Sequence, residues 1–488
     1  MGFNRGIVIS QSPTPLLAPV QVNSALGVAV GVAPVHRLED PAAAVNKPFL
    51  LFSFGEFQQR LGYTDNNWFI DGKPCFNLAQ VAFSQFRLHL VSPLVCINVW
   101  NPLPTAQDVA VPTLPIINGV ATIDDPFVMI SGVTVHGSGD AYVRDVDYTL
   151  RYDGDNLLIT VIQGGGIPAA TNSLSVTYKQ ADPTTVTRAN IVGGVEPGTN
   201  RRTGISLIDQ VFLDFGLIPG FILSPGWSTD PEIGALLSAK ASALNDSDFS
   251  CVALLDMPCD GEFADFTKIP QWKNDNGYNS RYAYGDWPCV SLGDRVFNAS
   301  TRLLGLHGQV DAGNGGIPFE HASNRNLQMT GICQSDGTPI PMLTRGQANF
   351  LNGQGIGTFL NYGGNSAWGG ETLAFPNNTD IKDFERTIVR MFSFVQNTVN
   401  LTMRQMVDRP IKRRNIDRIL LTGNEYLNML VARQAIIGGR VEFLRSDNPN
   451  INLISGQTYF RVYLTPSPGA REIEFNFAFD PDYFERLF

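Results

Sequence analysis

The most distinctive hydrophobic pattern lies near the end of the chain, where apolar and polar residues alternate. Over residues 471–479, one face of the pattern consists of Ile473, Phe475, Phe477 and Phe479. A period of two with one apolar face predicts a β-strand, and the turn-rich residues 465–469 set it apart from what precedes. Two arrangements are open. The strand folds back on its own domain as a hairpin, or it adds to a sheet edge of a neighbouring copy.

The beginning of the chain carries a similar arm. Ile7, Val8 and Ile9 form a short β-prone run, and Pro13 and Pro15 follow as a spacer. An apolar strand on an arm needs a sheet edge to cover it. Both arms are therefore predicted to exchange strands between subunits, through Ile7, Val8, Ile9, Ile473, Phe475, Phe477 and Phe479.

Between the arms, apolar runs typical of strands alternate with helical periods. The pattern predicts strands at 25–35, 49–52, 94–100, 220–223 and 250–256, and helices at 54–61, 77–86, 204–215, 231–244, 301–310 and 344–351. Thr229 or Asp230 is the expected cap of the helix at 231–244. From residue 380 the pattern is mostly helical, with a second helix at 416–433 and a strand at 458–465.

One segment, residues 104–186, shows no helical period. It predicts short strands at 119–123, 128–130, 147–152, 157–162 and 174–178, separated by Gly- and Asp-rich turns. The α/β alternation resumes after residue 186. We therefore expect a compact all-β insertion, either a small sandwich or a barrel.

Composition narrows the class of protein. A chain of 488 residues is expected to form two to four domains, and 43% hydrophobic residues indicate packed cores. Only 16% of residues are charged and the net charge is −10, which argues against a nucleic-acid-binding protein. The six cysteines form no CxxC pair and mostly lie in apolar runs, so buried free thiols are expected. No secretory segment opens the chain, and folding in a cytoplasm is expected.

The charge is uneven along the chain. Residues 380–445 contain 12 Lys and Arg against 7 Asp and Glu, a net +5, so the remainder carries −15. The densest cationic group is Lys412, Arg413 and Arg414. It is either the solvated start of a helix or a basic face for an acidic partner.

No catalytic or cofactor-binding motif is present in the sequence. The Gly-rich residues 353–357 lack the Lys–Ser/Thr of a phosphate loop, and the five histidines share no spacing with acids or cysteines. We therefore expect no enzymatic activity, no cofactor and no metal site.

Short motifs spread over the chain resemble the tail sheath proteins of contractile phage tails and of related particles such as R-type tailocins. They are FLNGQGI at 350–356 (the family's LNxxGIN), AWGGETL at 367–373 (WGARTL), FERT at 384–387 (VRRT), AIIGG at 435–439 (GAIxGG) and GQTYF at 456–460. The first arm and residues 203–226 are also similar to the family, whereas the β insertion is not covered. Glu371 replaces the family's usual Arg, so any ion pair of that Arg is absent or reversed here.

The resemblance implies a multidomain α/β (α+β) protein: an inner α/β domain with exchanged terminal strands, a middle α/β domain and an inserted all-β outer domain. The expected segments are an arm at 1–20, the middle domain at 21–103 and 187–345, the outer domain at 104–186, and the inner domain at 346–488 with its C-terminal arm at 471–488.

The resemblance also implies a function. Hexameric rings would stack into a sheath around an inner tube, and contraction would drive that tube through a bacterial envelope. The expected partners are further copies of this chain, the tail tube protein, and baseplate and terminator proteins, with no direct contact to nucleic acid or membrane. The particle would be a virion tail or a tailocin assembled in the host cytoplasm. Residues expected to face the tube are Lys382, Arg386, Arg390, Lys412, Arg413 and Arg414. The alternative is another virion structural or receptor-binding protein with a β-sandwich module.

Overall fold

The computed structural model describes residues 22–137 and 141–487. The helices, in chain order, are α1 (Phe54–Leu61), α2 (Asn77–Phe83), α3 (Arg188–Val192), α4 (Ile208–Phe215), α5 (Pro231–Ser242), α6 (Ile269–Asp275), α7 (Ala299–Gly313), α8 (Arg345–Asn352), α9 (Ile381–Phe384), α10 (Arg386–Met403), α11 (Arg413–Ala432) and α12 (Asn450–Ile454). Asp230 caps α5 as predicted, since its carboxylate accepts a hydrogen bond from the Glu232 N–H.

The strands are interspersed with these helices, and β6 to β11 follow one another with no α-helix between them. They are β1 (Gly27–Gly31), β2 (Pro48–Leu51), β3 (Phe69–Ile70), β4 (Lys73–Pro74), β5 (Leu94–Asn98), β6 (Gln107–Ile117), β7 (Val120–Ile123), β8 (Val128–His136), β9 (Tyr148–Asp153), β10 (Asn156–Val161), β11 (Ser173–Gln180), β12 (Gly194–Val195), β13 (Arg202–Thr203), β14 (Phe221–Leu223), β15 (Val252–Asp256), β16 (Ala283–Asp286), β17 (Cys289–Leu292), β18 (Arg295–Phe297), β19 (Gly331–Cys333), β20 (Pro339–Ile340), β21 (Ile356–Asn361), β22 (Asn365–Trp368), β23 (Ile436–Glu442) and β24 (Arg461–Pro466).

An eight-stranded sheet forms the centre of the protein, in the order β2-β5-β1-β14-β15-β16-β21-β22. The six strands from β5 to β21 are parallel, and β2 and β22 close the ends antiparallel. Every residue of β1, β5 and β15 is buried, as expected for strands covered on both faces. Successive residues point to opposite faces: Val28 lies in one hydrophobic cluster with α4, α5 and α10, and Ala29 lies in another with α1 and α2.

The boundary predicted between residues 345 and 346 falls inside this sheet. Both β21 and β22 come after that boundary, and β21 pairs with β16 through Gly285–Ile356 and Asp286–Gly357. The central sheet therefore extends to Trp368, and the chain leaves it later than the sequence indicated.

The six strands β6–β11 form a separate sheet in the order β8-β11-β6-β7-β10-β9. The long strand β6 pairs with β11 along most of its length and with β7 at its end, so it joins two three-stranded halves. Side chains of both halves share one hydrophobic core, which makes the unit a small sandwich. The sequence pattern had not indicated β6.

The sandwich sits against the segment that follows β1. His36 is fully buried, its Nε2 lies 3.0 Å from the Pro126 carbonyl oxygen, and its ring stacks on Phe76. Burial, reinforced by the neighbouring Arg37 charge, lowers the pKa of His36 to about 3. A neutral imidazole therefore joins the central sheet to the sandwich.

Candidate assembly surfaces

The C-terminal part of the chain contains a two-stranded sheet that is not joined to the central sheet. Strands β23 and β24 pair antiparallel, and α11 packs on β23. The sheet is short and its side chains are mostly half-buried or exposed. A two-stranded sheet is marginally stable by itself, so additional strands would stabilise it.

One edge of this sheet is covered by a side chain. The Asn424 amide of α11 accepts a hydrogen bond from the Val441 N–H (3.0 Å) and donates one to the Val441 carbonyl (3.1 Å). The amide thus occupies the main-chain groups that a further strand would pair with on the β23 side. Asn448 holds the Tyr459 N–H and carbonyl in the same way, at 2.8 and 2.9 Å, just before β24 begins.

At the other edge, along β24, no strand formed by residues 22–137 or 141–487 is paired. Because both main-chain groups of Val441 point toward Asn424, the Val441–Val462 pair is a non-hydrogen-bonded pair of the ladder. The N–H and carbonyl of Val462 must then point away from β23, and its side chain is exposed. The β24 edge therefore offers main-chain donors and acceptors to a strand from elsewhere.

The predicted C-terminal strand leaves the body of its own subunit. Residues 471–479 form no ladder with any described residue, so the hairpin alternative does not occur among residues 22–137 and 141–487. The four apolar side chains of the arm, Ile473, Phe475, Phe477 and Phe479, are between 69% and 92% exposed. The matching N-terminal residues, Ile7, Val8 and Ile9, lie outside the described part of the chain.

The root of the arm is held in place. The Arg471 guanidinium lies 3.0 Å from the Glu371 carboxylate and 4.5 Å from the centre of the Phe384 ring. Gly469 presses against His321, since a Cβ at this position would lie 2.6 Å from the imidazole Cδ2. Glu371, the residue that departs from the sheath motif, thus has an ion pair with the arm.

His321 is itself held by Glu385, the N-cap of α10, whose carboxylate contacts the imidazole Nε2. Burial favours the neutral form of Glu385, but hydrogen bonds from His321, Thr387 and the Ile388 N–H outweigh it and lower the pKa of this carboxyl. The carboxylate therefore stays charged and keeps the imidazole in position beneath the arm.

Two of the six residues predicted to face a tube are in the interior. Arg386 is buried and donates to Asp286 at 3.0 Å, to the Glu371 carbonyl at 2.7 Å and to the Gly285 carbonyl. Arg390 is buried and donates to Asp311 at 3.1 Å. The prediction that Arg386 and Arg390 meet a tube is therefore wrong, because α10 is packed on nearly all sides and both guanidinium groups are used inside the subunit.

The other four predicted residues, Lys382, Lys412, Arg413 and Arg414, are exposed. Arg404 and Arg409, in the connection between α10 and α11, are exposed too and had not been singled out. Their position in the net-positive stretch 380–445 was the sequence signal that could have identified them. The connection and the start of α11 therefore form a basic surface, defined here as Arg404, Arg409, Lys412, Arg413 and Arg414.

A cavity of about 190 Å³ lies at the carboxyl ends of β15 and β16. Burial raises the pKa of Asp256 in its wall to about 6, despite hydrogen bonds from Gly226 and Ser300. The thiols of Cys259 and Cys289 lie 3.6 Å apart beside it, and all six cysteines are buried and free, as predicted. Among the described residues, no group of three or more His, Cys, Asp and Glu side chains is placed to hold a metal ion.

The chain is similar to known sheath proteins in sequence and in fold. The chain is 27% identical over 357 residues to a tail sheath protein of Burkholderia phage BcepMu, an alignment covering 71% of this chain and 72% of the phage protein. The resemblance to tail sheath proteins is confirmed. No profile of a known protein family matches the chain.

Solved structures share the fold of this chain. The sheath complex of the extracellular contractile injection system PVC, in the contracted state, has a TM-score of 0.57 at 12% identity and covers 99% of this chain and 100% of that one. A sheath tail protein from Desulfitobacterium hafniense has a TM-score of 0.54 at 12% identity and covers 94% and 96%. The anti-feeding prophage baseplate contains a chain with a TM-score of 0.58 at 13% identity, covering 98% and 100%. The mixed α/β architecture with several sheets is thus that of contractile sheath proteins.

Proposed function

We propose that this chain is the structural, non-catalytic subunit of a contractile sheath that polymerises as stacked hexameric rings around an inner tube. One observation carries the proposal: within the described part of the chain, the apolar C-terminal arm pairs with no strand, and the β24 edge of the β23–β24 sheet has no partner strand. Each subunit thus offers a strand and accepts one, which is what head-to-tail assembly needs. The similarity to the phage sheath protein supports the same conclusion.

Strand exchange would work through main-chain hydrogen bonds and the apolar face of the arm. The C-terminal strand of one subunit, with Ile473, Phe475, Phe477 and Phe479, extends the β23–β24 sheet of a neighbour. The N-terminal arm, with Ile7, Val8 and Ile9, is proposed to add a further strand. Since a sheet gains stability with each added strand, the exchange stabilises donor and acceptor together.

The basic surface is proposed to meet the inner tube, together with Lys382. Single exposed ion pairs are worth only about 0–1 kcal/mol each, but a sheath repeats them over many subunits. A weak contact per subunit also suits a particle that must break all of these contacts when it contracts. Contraction of a metastable sheath needs no nucleotide, because the energy is stored during assembly.

The sandwich is proposed to be an outer module that assembly can do without. It has a core of its own and interrupts the α/β order of the chain at 104–186. The assembled particle is proposed to be a phage tail or tailocin, built in the bacterial cytoplasm and joined to baseplate and terminator proteins. Its contraction would drive the tube through the envelope of a bacterium.

Negative-stain electron microscopy of the purified protein tests this proposal. We expect the full chain to form rings or tubes, and a chain lacking residues 472–488 to remain as folded small particles. A variant that removes an exposed apolar side chain from the body, Leu90→Ser, is the matched control and should polymerise normally. Monodisperse particles from the full chain under all polymerising conditions would instead favour the receptor-binding alternative.

A further inference from the structure

The C-terminal arm is attached to the body of the subunit through Arg471. The Arg471 side chain is 48% exposed, but its guanidinium lies 3.0 Å from the Glu371 carboxylate and covers the Phe384 ring. The apolar side chains that follow, Ile473, Phe475, Phe477 and Phe479, are between 69% and 92% exposed. A flexible strand that leaves from a fixed point samples a smaller volume than one on a free linker. Its effective concentration at a correctly placed target is therefore higher.

We propose that Glu371, with Phe384 and His321, forms a clamp on the arm root and so sets the direction in which the C-terminal strand leaves its subunit. This role rests on the strand exchange proposed above. The three contacts approach the root from different elements: Glu371 follows β22, Phe384 ends α9, and His321 lies in the loop after α7.

Two parts of the clamp, Glu371 and His321, are held by further contacts behind them. The Glu371 main-chain carbonyl accepts a hydrogen bond from the buried Arg386 at 2.7 Å, and Glu371 also forms a β-bridge with Glu385. His321 is paired with the buried Glu385 carboxylate. At Gly469 a side chain would collide with the imidazole, so the main chain can lie directly against it.

The pairing involves the residue that departs from the sheath motif. The related motif carries Arg where Glu371 stands, and an arginine there would repel Arg471 instead of binding it. Position 371 and position 471 therefore form a matched pair, and exchanging their charges should preserve the clamp.

Trypsin provides a readout that does not depend on polymerisation, because it cleaves after Arg471 only when the guanidinium is released from Glu371. Trypsin also cleaves after the exposed Arg486, so the product to be measured is the peptide 472–486. In Glu371→Gln at protein concentrations below polymerisation, we expect this peptide to be released about two- to fivefold faster than from the unmodified chain, the range that a half-exposed ion pair supports. Glu320→Gln is the matched control. Glu320 lines the groove in which Gly469 and Arg471 also lie, but its carboxylate pairs with Arg325 and not with Arg471, so the cleavage rate of this variant should be unchanged.

Assembly provides the second readout. Glu371→Arg should slow tube formation, and Glu371→Arg combined with Arg471→Glu should restore it. Equal release of the peptide from Glu371→Gln and the unmodified chain would overturn the clamp, whatever the assembly result. If the peptide is released faster from Glu371→Gln, but Glu371→Gln and Glu371→Arg both polymerise like the unmodified chain, the clamp does not direct the arm. Normal polymerisation of a chain lacking residues 472–488 would instead overturn strand exchange itself, and with it the need for a clamp.

Discussion

Removing the buried carboxylate of Asp311 should destabilise the protein far more than removing an exposed charged side chain. The Arg390 side chain is 3% exposed and that of Asp311 is 1% exposed, and the two are joined by a bidentate ion pair. Ser24 donates to the same carboxylate at 2.7 Å, and the Arg390 guanidinium covers the Phe221 ring. In Asp311→Ala the guanidinium stays buried without its counter-charge.

Breaking a buried ion pair from one side typically costs about 3–5 kcal/mol, since the remaining charge is desolvated and unpaired. We therefore expect Asp311→Ala to lower the free energy of unfolding by about that amount. The matched control is Asp417→Ala, which removes the partner of Arg413 in a pair whose side chains are 62% and 95% exposed. That change should cost no more than about 1 kcal/mol.

The assay is urea unfolding at pH 7, followed by tryptophan fluorescence and circular dichroism. The double variant Arg390→Met with Asp311→Leu should recover most of the loss, because a buried pair can be replaced by apolar side chains at little cost. A loss below about 1 kcal/mol in Asp311→Ala would refute the assignment of Arg390 to the interior. It would also restore Arg390 as a candidate for contact with a tube.

Three further outcomes are expected. Phe477→Ser should raise the critical concentration for polymerisation at least about tenfold without changing monomer stability, because burying one phenylalanine is worth about 1.5–3 kcal/mol. A sedimentation assay that finds an unchanged critical concentration would contradict this. Arg413→Glu should leave folding and self-assembly intact but weaken co-sedimentation with tail tubes, most clearly at low salt, whereas equal binding at every salt concentration would argue against the basic surface. His36 should make the protein acid-sensitive: its pKa is about 3 when folded and 6.5 in the unfolded chain, so stability is complete above 6.5 and is lost as the pH falls toward 3, by up to about 1.4 kcal/mol per pH unit. His36→Gln should flatten that slope in unfolding measured from pH 7 to 4, and an unaltered slope would assign the acid sensitivity to other groups.

Local hydrophobic patterns predicted those helices and strands whose pattern is complete within a short segment of the chain. Helix α1 begins and ends where its apolar period indicated, and its Ser53 cap accepts from the Glu56 N–H. The buried strands β1 and β5 are continuous apolar runs, which is the pattern of a parallel sheet. The strand β6 was missed because Pro112 and Pro115 weaken its strand pattern.

Long-range pairing was not predictable in the same way. The carboxylates that pair with the buried Arg386 and Arg390 belong to Asp286 and Asp311, which lie 100 and 79 residues earlier in the chain. The sequence around the two arginines therefore does not indicate these partners. One local sign was available: these two residues carry the only charges in the 18 residues of α10, a density more typical of a buried helix than of a binding face. The continuation of the central sheet into β21 depends on only two residue pairs with β16 and leaves no local pattern either.

Arg386 gives the subunit a mechanical connection as well as a buried ion pair. Its guanidinium joins the Glu371 carbonyl to Gly285 and Asp286 on β16, and the Glu371 carboxylate holds Arg471 at the root of the arm. In the proposed strand exchange, tension applied to the C-terminal strand by a neighbouring subunit would reach the parallel sheet through Glu371 and Arg386 as well as through the chain itself. Along the sequence, helices α9 to α12 and strands β23 and β24 lie between the central sheet and the arm. The side-chain contacts are therefore a second and shorter connection between the root of the arm and the central sheet.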